Sequence, residues 1–121
     1  MIDEREVVAT CHCGEATIRA SRAPDLVLRC NCSLCQKSGW QGVYYKSDEV
    51  VIAGDFEAYV RGDIKQPMIR LMRCTRCGIA THWEPLTEPP HERLGVNARL
   101  IDPAVLVGID VSDSDGANWE R

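Results

Sequence analysis

The stretch Cys74-Thr75-Arg76-Cys77-Gly78 determines how this chain of 121 residues is held together. Two cysteines separated by two residues form a turn whose sulfurs can bind one metal ion, and Gly78 permits the positive φ that often follows such a turn. A closed tetrahedral site needs a second pair of ligands. Cys11-His12-Cys13-Gly14 can supply it, so the sequence predicts a structural zinc ion bound by four thiolates.

The spacing of Cys11 and Cys13 requires a bend in the chain. In a straight strand, residues i and i+2 lie on one face but roughly 6.5 Å apart, which is too far for two ligands of one ion. Gly14 directly follows the pair and makes a bend plausible. A metal bound by both pairs would link the start of the chain to its middle and stabilise a small core.

A third group, Cys30-Asn31-Cys32-Ser33-Leu34-Cys35, supplies three thiolates within six residues. Three protein ligands with an open fourth position are typical of a catalytic or exchangeable zinc site, and thiolates favour zinc over magnesium or calcium. Backbone N–H groups and a nearby cation, such as Lys37, would have to offset the sulfur charge. Two alternatives stay open: a cysteine shared with another group, or a fourth ligand from His12, His82 or His91.

Composition limits the class of protein. Seven cysteines are an odd number, which fits a disulfide framework poorly and metal binding well. A net charge of −4 and scattered arginines argue against a nucleic-acid partner. The sequence shows no signal peptide and no apolar stretch of the roughly 20 residues that cross a bilayer. We therefore expect a cytoplasmic protein, where thiols stay reduced, without a membrane partner.

Short runs rich in Val, Ile and Tyr alternate with turn residues throughout the chain, which predicts a mostly β fold of short antiparallel strands in one domain, residues 1–121. The predicted strands are 6–9, 15–20, 26–29, 42–46, 50–53, 57–60, 68–73 and 79–83. A hairpin turn is expected at 53–56. One short helix is expected at 33–38, with Ser33 as its cap and Gly39 ending it, and another follows Asp102-Pro103.

Two segments are expected to lack regular structure. The stretch 84–92 contains three prolines and predicts a stiff loop, of which 85–90 could form a rim or lid. The polar tail 112–121 is expected to be loosely held, with Trp119 as its anchor.

The order C-x-C-G, C-x-C-S-x-C-x-K and C-x-x-C-G resembles the glutathione-dependent formaldehyde-activating enzyme (Gfa) family, and 95–103 (GVNARLIDP) is similar to its closing segment. The resemblance implies an Mss4-like zinc-binding β-tent. It also implies a structural zinc on Cys11, Cys13, Cys74 and Cys77, and a zinc linked with activity on Cys30, Cys32 and Cys35. The implied reaction is the reversible addition of glutathione to formaldehyde, which gives S-hydroxymethylglutathione.

The leading functional hypothesis is therefore a carbon–sulfur lyase that uses two zinc ions per chain and glutathione as co-substrate, with Cys30, Cys32 and Cys35 as the catalytic centre. Lys37 and Arg29 are candidate contacts for the glutathione carboxylates. Trp40, with Tyr44 or Tyr45, could wall the pocket.

The alternative hypothesis is a non-enzymatic zinc module that binds glutathione, another thiol or a protein partner, because no general acid or base is identifiable beside the triplet. Redox catalysis by the C-x-x-C pairs is disfavoured, since neither lies in a βαβ pattern. The sequence does not indicate the oligomeric state.

Overall fold

The computed structural model describes residues 6–86 and 93–118. This part of the chain is mostly β, as predicted, with ten strands and one short α-helix. The strands are β1 (Val7–Thr10), β2 (Thr17–Ala20), β3 (Leu26–Cys30), β4 (Gly42–Lys46), β5 (Val50–Ala53), β6 (Phe56–Tyr59), β7 (Ile69–Cys74), β8 (Ala80–Pro85), β9 (Arg93–Asn97) and β10 (Asp110–Ser114). The helix α1 spans Ser33–Ser38.

The strands form two sheets. One has three antiparallel strands in the order β1-β2-β5, and the other has seven in the order β10-β3-β4-β9-β8-β7-β6. All pairs in the larger sheet are antiparallel except β10 with β3, which are parallel. The core contains Ile18 from the smaller sheet and Val43 and Val96 from the larger one. It follows the period-2 pattern seen in β2, where Ile18 and Ala20 are buried and Arg19 is exposed.

The predicted hairpin at 53–56 is wrong. Gly54 does make a turn, with φ of 137°, and a Cβ there would lie 2.9 Å from the Cα of Ala16. However, β5 pairs with β2 and β6 pairs with β7. The turn therefore carries the chain from the smaller sheet to the larger one, because each strand finds its backbone partners in a different sheet.

Helix α1 has the predicted bounds but a different cap. The Sγ atom of Cys32, rather than Ser33, accepts a hydrogen bond from the Cys35 N–H at 3.4 Å. Gly39 ends the helix with φ of 73°, and its N–H donates to the carbonyl of Cys35. The second predicted helix is a 3₁₀ helix, Pro103–Leu106, whose first turn is capped by the Asp102 carboxylate.

The expectation of a loose tail is wrong over residues 112–114, which belong to β10. This strand carries few apolar side chains, so its pattern gave no strand signal, and its backbone ladder with β3 holds it in place. Glu84 and Pro85, expected in a loop, belong to β8. The rest of the proline-rich stretch, residues 87–92, lies outside the described residues. This holds for His91, which belongs to the stretch, and for Trp119. No helix in the described ranges is both long and apolar enough to cross a membrane.

Candidate metal centres and substrate pocket

The first cysteine cluster contains Cys11, Cys13, Cys74 and Cys77, whose sulfurs all lie within 4.8 Å of one another. The Sγ of Cys13 lies 3.6 Å from the Sγ atoms of both Cys11 and Cys74. Four thiolates bound at about 2.3 Å in a tetrahedron would have sulfurs about 3.8 Å apart. The spacing and the all-sulfur donor set therefore fit a closed, four-coordinate zinc site.

Two similar turns bring these sulfurs together. The N–H of Gly14 donates to the carbonyl of Cys11 at 3.1 Å, and the N–H of Gly78 donates to the carbonyl of Cys74 at 2.9 Å. Both glycines have positive φ, 84° and 77°. The chain thus bends after Cys11, as the ligand spacing required, and the turn between β1 and β2 meets the turn between β7 and β8.

Backbone groups favour the thiolate form in this cluster. The N–H of Ala16 donates to the Sγ of Cys11 at 3.3 Å. Although burial opposes ionisation of Cys11, this hydrogen bond helps to lower the pKa of its thiol. Backbone hydrogen bonds from Cys13 and Ile79 lower the pKa of Cys77 to about 6. The local backbone therefore prepares these cysteines for binding a cation.

The second cluster contains Cys30, Cys32 and Cys35, whose sulfurs also lie within 4.8 Å of one another. Cys30 ends β3, Cys32 caps α1, and Cys35 lies in the first turn of the helix. The N–H of Cys32 donates to the Sγ of Cys30 at 3.5 Å. Within the described ranges, no histidine or carboxylate joins these three sulfurs, so the cluster offers three ligands and an open position.

Arg61 supplies the cation that this cluster needs. Its Nη1 lies 3.7 Å from the Sγ of Cys32, and two hydrogen bonds of 2.7 and 2.8 Å fix its guanidinium on the carboxylate of Asp63. The hydroxyl of Ser33 donates to the same carboxylate. Although burial opposes ionisation of Cys32, hydrogen bonds from the Cys35 N–H and, more weakly, from Arg61 lower the pKa of its thiol. No sequence signal links Arg61 to a cysteine 29 residues away.

The C-terminal segment also lies against the second cluster. The amide of Asn31 donates to the carboxylate of Asp115 and accepts from the N–H of Ala117, both at 2.8 Å. A Cβ on Gly116 would lie 2.5 Å from the Sγ of Cys30. The residue between the first two cysteines thus holds this segment in close contact with the cluster.

The second cluster opens into a cavity of about 430 Å³ lined by all three of its cysteines. Trp40, Tyr44 and Trp83 form aromatic walls, and the rings of Tyr44 and Trp83 have centroids 6.0 Å apart. Gly95 provides the space for the Trp83 indole, which a Cβ would contact. The pocket therefore includes Trp40 and Tyr44, as the sequence suggested, whereas Tyr45 is buried in the core.

The cations of this pocket are not the ones that the sequence suggested. Arg29 is exposed and forms an ion pair with Asp113 at 2.8 Å. Side chains alternate along β3, so Leu28 and Cys30 of this strand face the pocket and Arg29 does not. Lys37 lines a separate depression beside Tyr59. Arg61 and Arg93 line the pocket instead.

Arg93 stacks on an aromatic ring and forms no ion pair with the residues that the structure describes. Its guanidinium carbon lies 4.2 Å from the centre of the Tyr44 ring. Seven other arginines of the described residues form ion pairs with carboxylates. No carboxylate within 6–86 or 93–118 forms an ion pair with Arg93. An anionic group in the pocket would therefore find a cation that is already oriented.

Comparisons with known proteins bear on the fold and on the family of the chain. A solved structure of a Rhodobacter sphaeroides protein superposes with a TM-score of 0.61 over 87% of this chain and 99% of that chain, at 24% identity, which speaks to the fold. No curated protein matches the chain. Residues 6–108 match the family described as glutathione-dependent formaldehyde-activating enzyme. The chain therefore belongs to the glutathione-dependent formaldehyde-activating enzyme family.

Proposed function

We propose that the chain is a carbon–sulfur lyase that adds the thiol of glutathione to formaldehyde and catalyses the reverse reaction. The observation that carries the proposal is the opening of a three-thiolate cluster into a pocket with two arginines. The reaction forms one C–S bond and opens the carbonyl π bond, and the thiol proton ends on the new hydroxyl. S-hydroxymethylglutathione results without any change in redox state.

We assign a structural zinc to the first cluster and a second zinc to Cys30, Cys32 and Cys35, whose donor sets fit that metal. Zinc at the second cluster would act as a Lewis acid that lowers the pKa of a bound thiol. Metal binding needs reduced cysteines, and we therefore place the protein in a reducing compartment such as the cytoplasm.

The surrounding side chains bind and orient the substrate. Arg93, stacked on Tyr44, would bind a carboxylate of glutathione at the pocket wall. Arg61 is a positioning residue: it contacts the Sγ of Cys32 and is itself fixed by Asp63. The aromatic and aliphatic walls exclude water from the reacting thiol and carbonyl.

The test of the activity is the rate of S-hydroxymethylglutathione formation, measured by NMR exchange with zinc-loaded protein. We expect acceleration over the spontaneous reaction, and we expect Cys32→Ala to return the rate to background. A native rate equal to the spontaneous one would reject the activity.

The role of Arg93 can be tested against Arg99, another exposed arginine that forms no ion pair within the described ranges and does not line the pocket. Loss of a charge-assisted hydrogen bond costs about 1.5–3 kcal/mol. Arg93→Gln should therefore raise the KM for glutathione roughly tenfold or more, whereas Arg99→Gln should leave it unchanged. Equal effects of the two substitutions would argue against a carboxylate contact at Arg93.

A second candidate function is a thiol-binding module without catalysis. The described lining of the pocket contains no Asp, Glu or His, the side chains that most often act as general acid or base. Saturable binding of glutathione to zinc-loaded protein, without acceleration of the addition to formaldehyde, would favour this function over the lyase.

A further inference from the structure

The walls of the pocket are far more apolar than formaldehyde requires. Beyond the three aromatic rings, they include the side chains of Leu28, Leu34, Ile64, Met68 and Leu71. These come from β3, α1, β7 and the segment before β7, so the apolar surface surrounds the cysteine cluster. Formaldehyde has one carbon and no apolar substituent that could use such a surface.

The rim of the pocket is apolar as well. Met68 lines the pocket and is 53% exposed. Leu86 is 37% exposed, and its N–H donates to the carbonyl of Met68 at 2.8 Å, which places the two residues side by side. Contiguous exposed apolar side chains beside a cavity are typical of a ligand-binding surface.

The size of the cavity points in the same direction. Its volume of about 430 Å³ falls within the range of sites that bury drug-sized ligands, about 300–1,000 Å³. Apart from the three cysteines, its charged lining within the described ranges consists of two arginines, and one of them, Arg61, is already bound to Asp63. Within the described residues, the site thus combines a large apolar volume with one cation, Arg93, that forms no ion pair.

We propose that the site also accepts, and prefers to formaldehyde, aldehydes that carry an apolar chain or ring of several carbons, which packs against these walls while Arg93 binds the carboxylate of the thiol substrate. This inference rests on the proposed lyase activity and names the class of its aldehyde. The step is the addition of the thiol to R–CHO: the C–S bond forms, the carbonyl π bond opens, and the thiol proton ends on the hydroxyl of the hemithioacetal. In the reverse direction the C–S bond breaks, the carbonyl π bond re-forms, and the hydroxyl proton returns to the thiol.

The test uses two stable thioethers, S-hexylglutathione and S-methylglutathione, which differ only in apolar carbon. Binding to zinc-loaded protein is followed by the fluorescence of the tryptophans, two of which line the pocket. We expect S-hexylglutathione to bind at least tenfold more tightly. In parallel, kcat/KM for glutathione addition should be higher with hexanal than with formaldehyde.

Met68 allows a matched control, because Val111 on β10 has the same exposed fraction, 53%, and does not line the pocket. Both side chains are half exposed, so glutamine at either position should not prevent folding. Met68→Gln should reduce the affinity ratio between the two thioethers at least threefold, and Val111→Gln should leave the ratio unchanged.

The failure of this inference is distinguishable from the failure of the lyase proposal. Equal affinities for the two thioethers, in a protein that accelerates the formaldehyde reaction, would overturn the apolar aldehyde and leave the lyase activity intact. Acceleration of neither aldehyde would overturn both proposals. Tighter binding of S-hexylglutathione together with faster addition to hexanal supports the inference.

Discussion

The sulfur of Cys32 has three roles in the structure. It caps α1 by accepting the Cys35 N–H, it lies 3.7 Å from Nη1 of Arg61, and it belongs to the three-thiolate cluster. A negative charge on this atom is therefore offset by a peptide dipole and by a guanidinium. Since partners of this kind set the affinity of metal ligands, Arg61 should influence the cluster without binding metal itself.

We expect Arg61→Gln to weaken zinc binding at the second cluster roughly tenfold, because partners of metal ligands typically contribute about 10–100-fold in affinity. Competition with a chromophoric chelator measures this affinity. Arg61→Lys should restore part of it, since the charge is kept and the paired hydrogen bonds to Asp63 are lost. Arg73→Gln is the control, because the Arg73 guanidinium pairs with Glu57 and does not line the pocket of the second cluster. Unchanged affinity in Arg61→Gln would contradict the assigned role.

Gly116 provides a steric test of the same cluster. A Cβ at this position would lie 2.5 Å from the Sγ of Cys30 and 3.2 Å from the Cβ of Cys32, whereas a Cβ on Gly62 would meet nothing within 4 Å. Gly116→Ala should therefore displace Cys30 and reduce the zinc retained by the second cluster to below half. Gly62→Ala should retain the native amount. Metal analysis after dialysis decides between a displaced and an undisturbed cluster.

At the scale of elements, β8 holds a buried histidine. His82 is 1% exposed, its Nδ1 lies 2.9 Å from the hydroxyl of Thr81, and the Phe56 ring packs edge-on at 4.9 Å. Burial lowers the pKa of its imidazole below the ordinary value of 6.5, although Glu84 opposes this shift. The histidine is therefore neutral in the folded protein at neutral pH.

This shift gives the stability a defined pH dependence. The unfolded chain binds a proton at His82 more readily than the folded chain does, so the free energy of unfolding should fall as the pH decreases below about 6.5, by at most about 1.4 kcal/mol per pH unit. Urea denaturation at pH 7.5, 6.5 and 6.0 measures the change. His82→Gln should reduce this slope. A free energy of unfolding that is higher at pH 6.0 than at pH 7.5 in the native protein would contradict a neutral, buried His82.

The elements differ in how well the sequence predicts them. β4 and β5 have their predicted bounds, because Val and Tyr between turn residues give a clear strand pattern. β10 could not be predicted, since its sequence DVSDS is polar and its partner β3 lies about 80 residues earlier. The turn at Gly54 is compatible with a hairpin or with a change of sheet, and only the pairing of β5 with β2 decides between them.

The pocket shows a similar division. Cysteine spacing predicted each pair, because turn geometry at a C-x-C-G or C-x-x-C-G segment is local. The joining of the two pairs was inferred from the four ligands that a closed zinc site needs. Arg61 and Arg93 could not be predicted as pocket residues. They line the pocket from a loop and from β9, and only the tertiary fold brings these segments together.

For the whole molecule, the two clusters differ in the span of chain that they join. The first links the β1–β2 turn of the smaller sheet to the β7–β8 turn of the larger one, and Cys13 and Cys74 are 61 positions apart in the sequence. The second takes all its ligands from six consecutive residues. A cross-link over a long loop removes more conformational entropy from the unfolded chain, so the first site should dominate stability.

We therefore expect Cys77→Ser and Cys35→Ser, which both replace half-buried cysteines, to have different effects. Cys77→Ser should lower the Tm by about 6 °C or more, since loss of such a cross-link costs roughly 3 kcal/mol and 1 kcal/mol corresponds to about 2–8 °C. Cys35→Ser should lower it by less than about 4 °C while removing one zinc per chain. Thermal unfolding followed by circular dichroism compares the two. Similar decreases in Tm for the two variants would contradict a dominant role of the first site in stability.

We propose that the seven cysteine sulfurs bind two zinc ions, four sulfurs on one ion and three on the other. Anomalous diffraction at the zinc edge, from crystals of the zinc-loaded protein, tests it directly. We expect two peaks, one about 2.3 Å from the sulfurs of Cys11, Cys13, Cys74 and Cys77, and one at a similar distance from those of Cys30, Cys32 and Cys35. A single peak, or a peak bound by cysteines from both clusters, would contradict it.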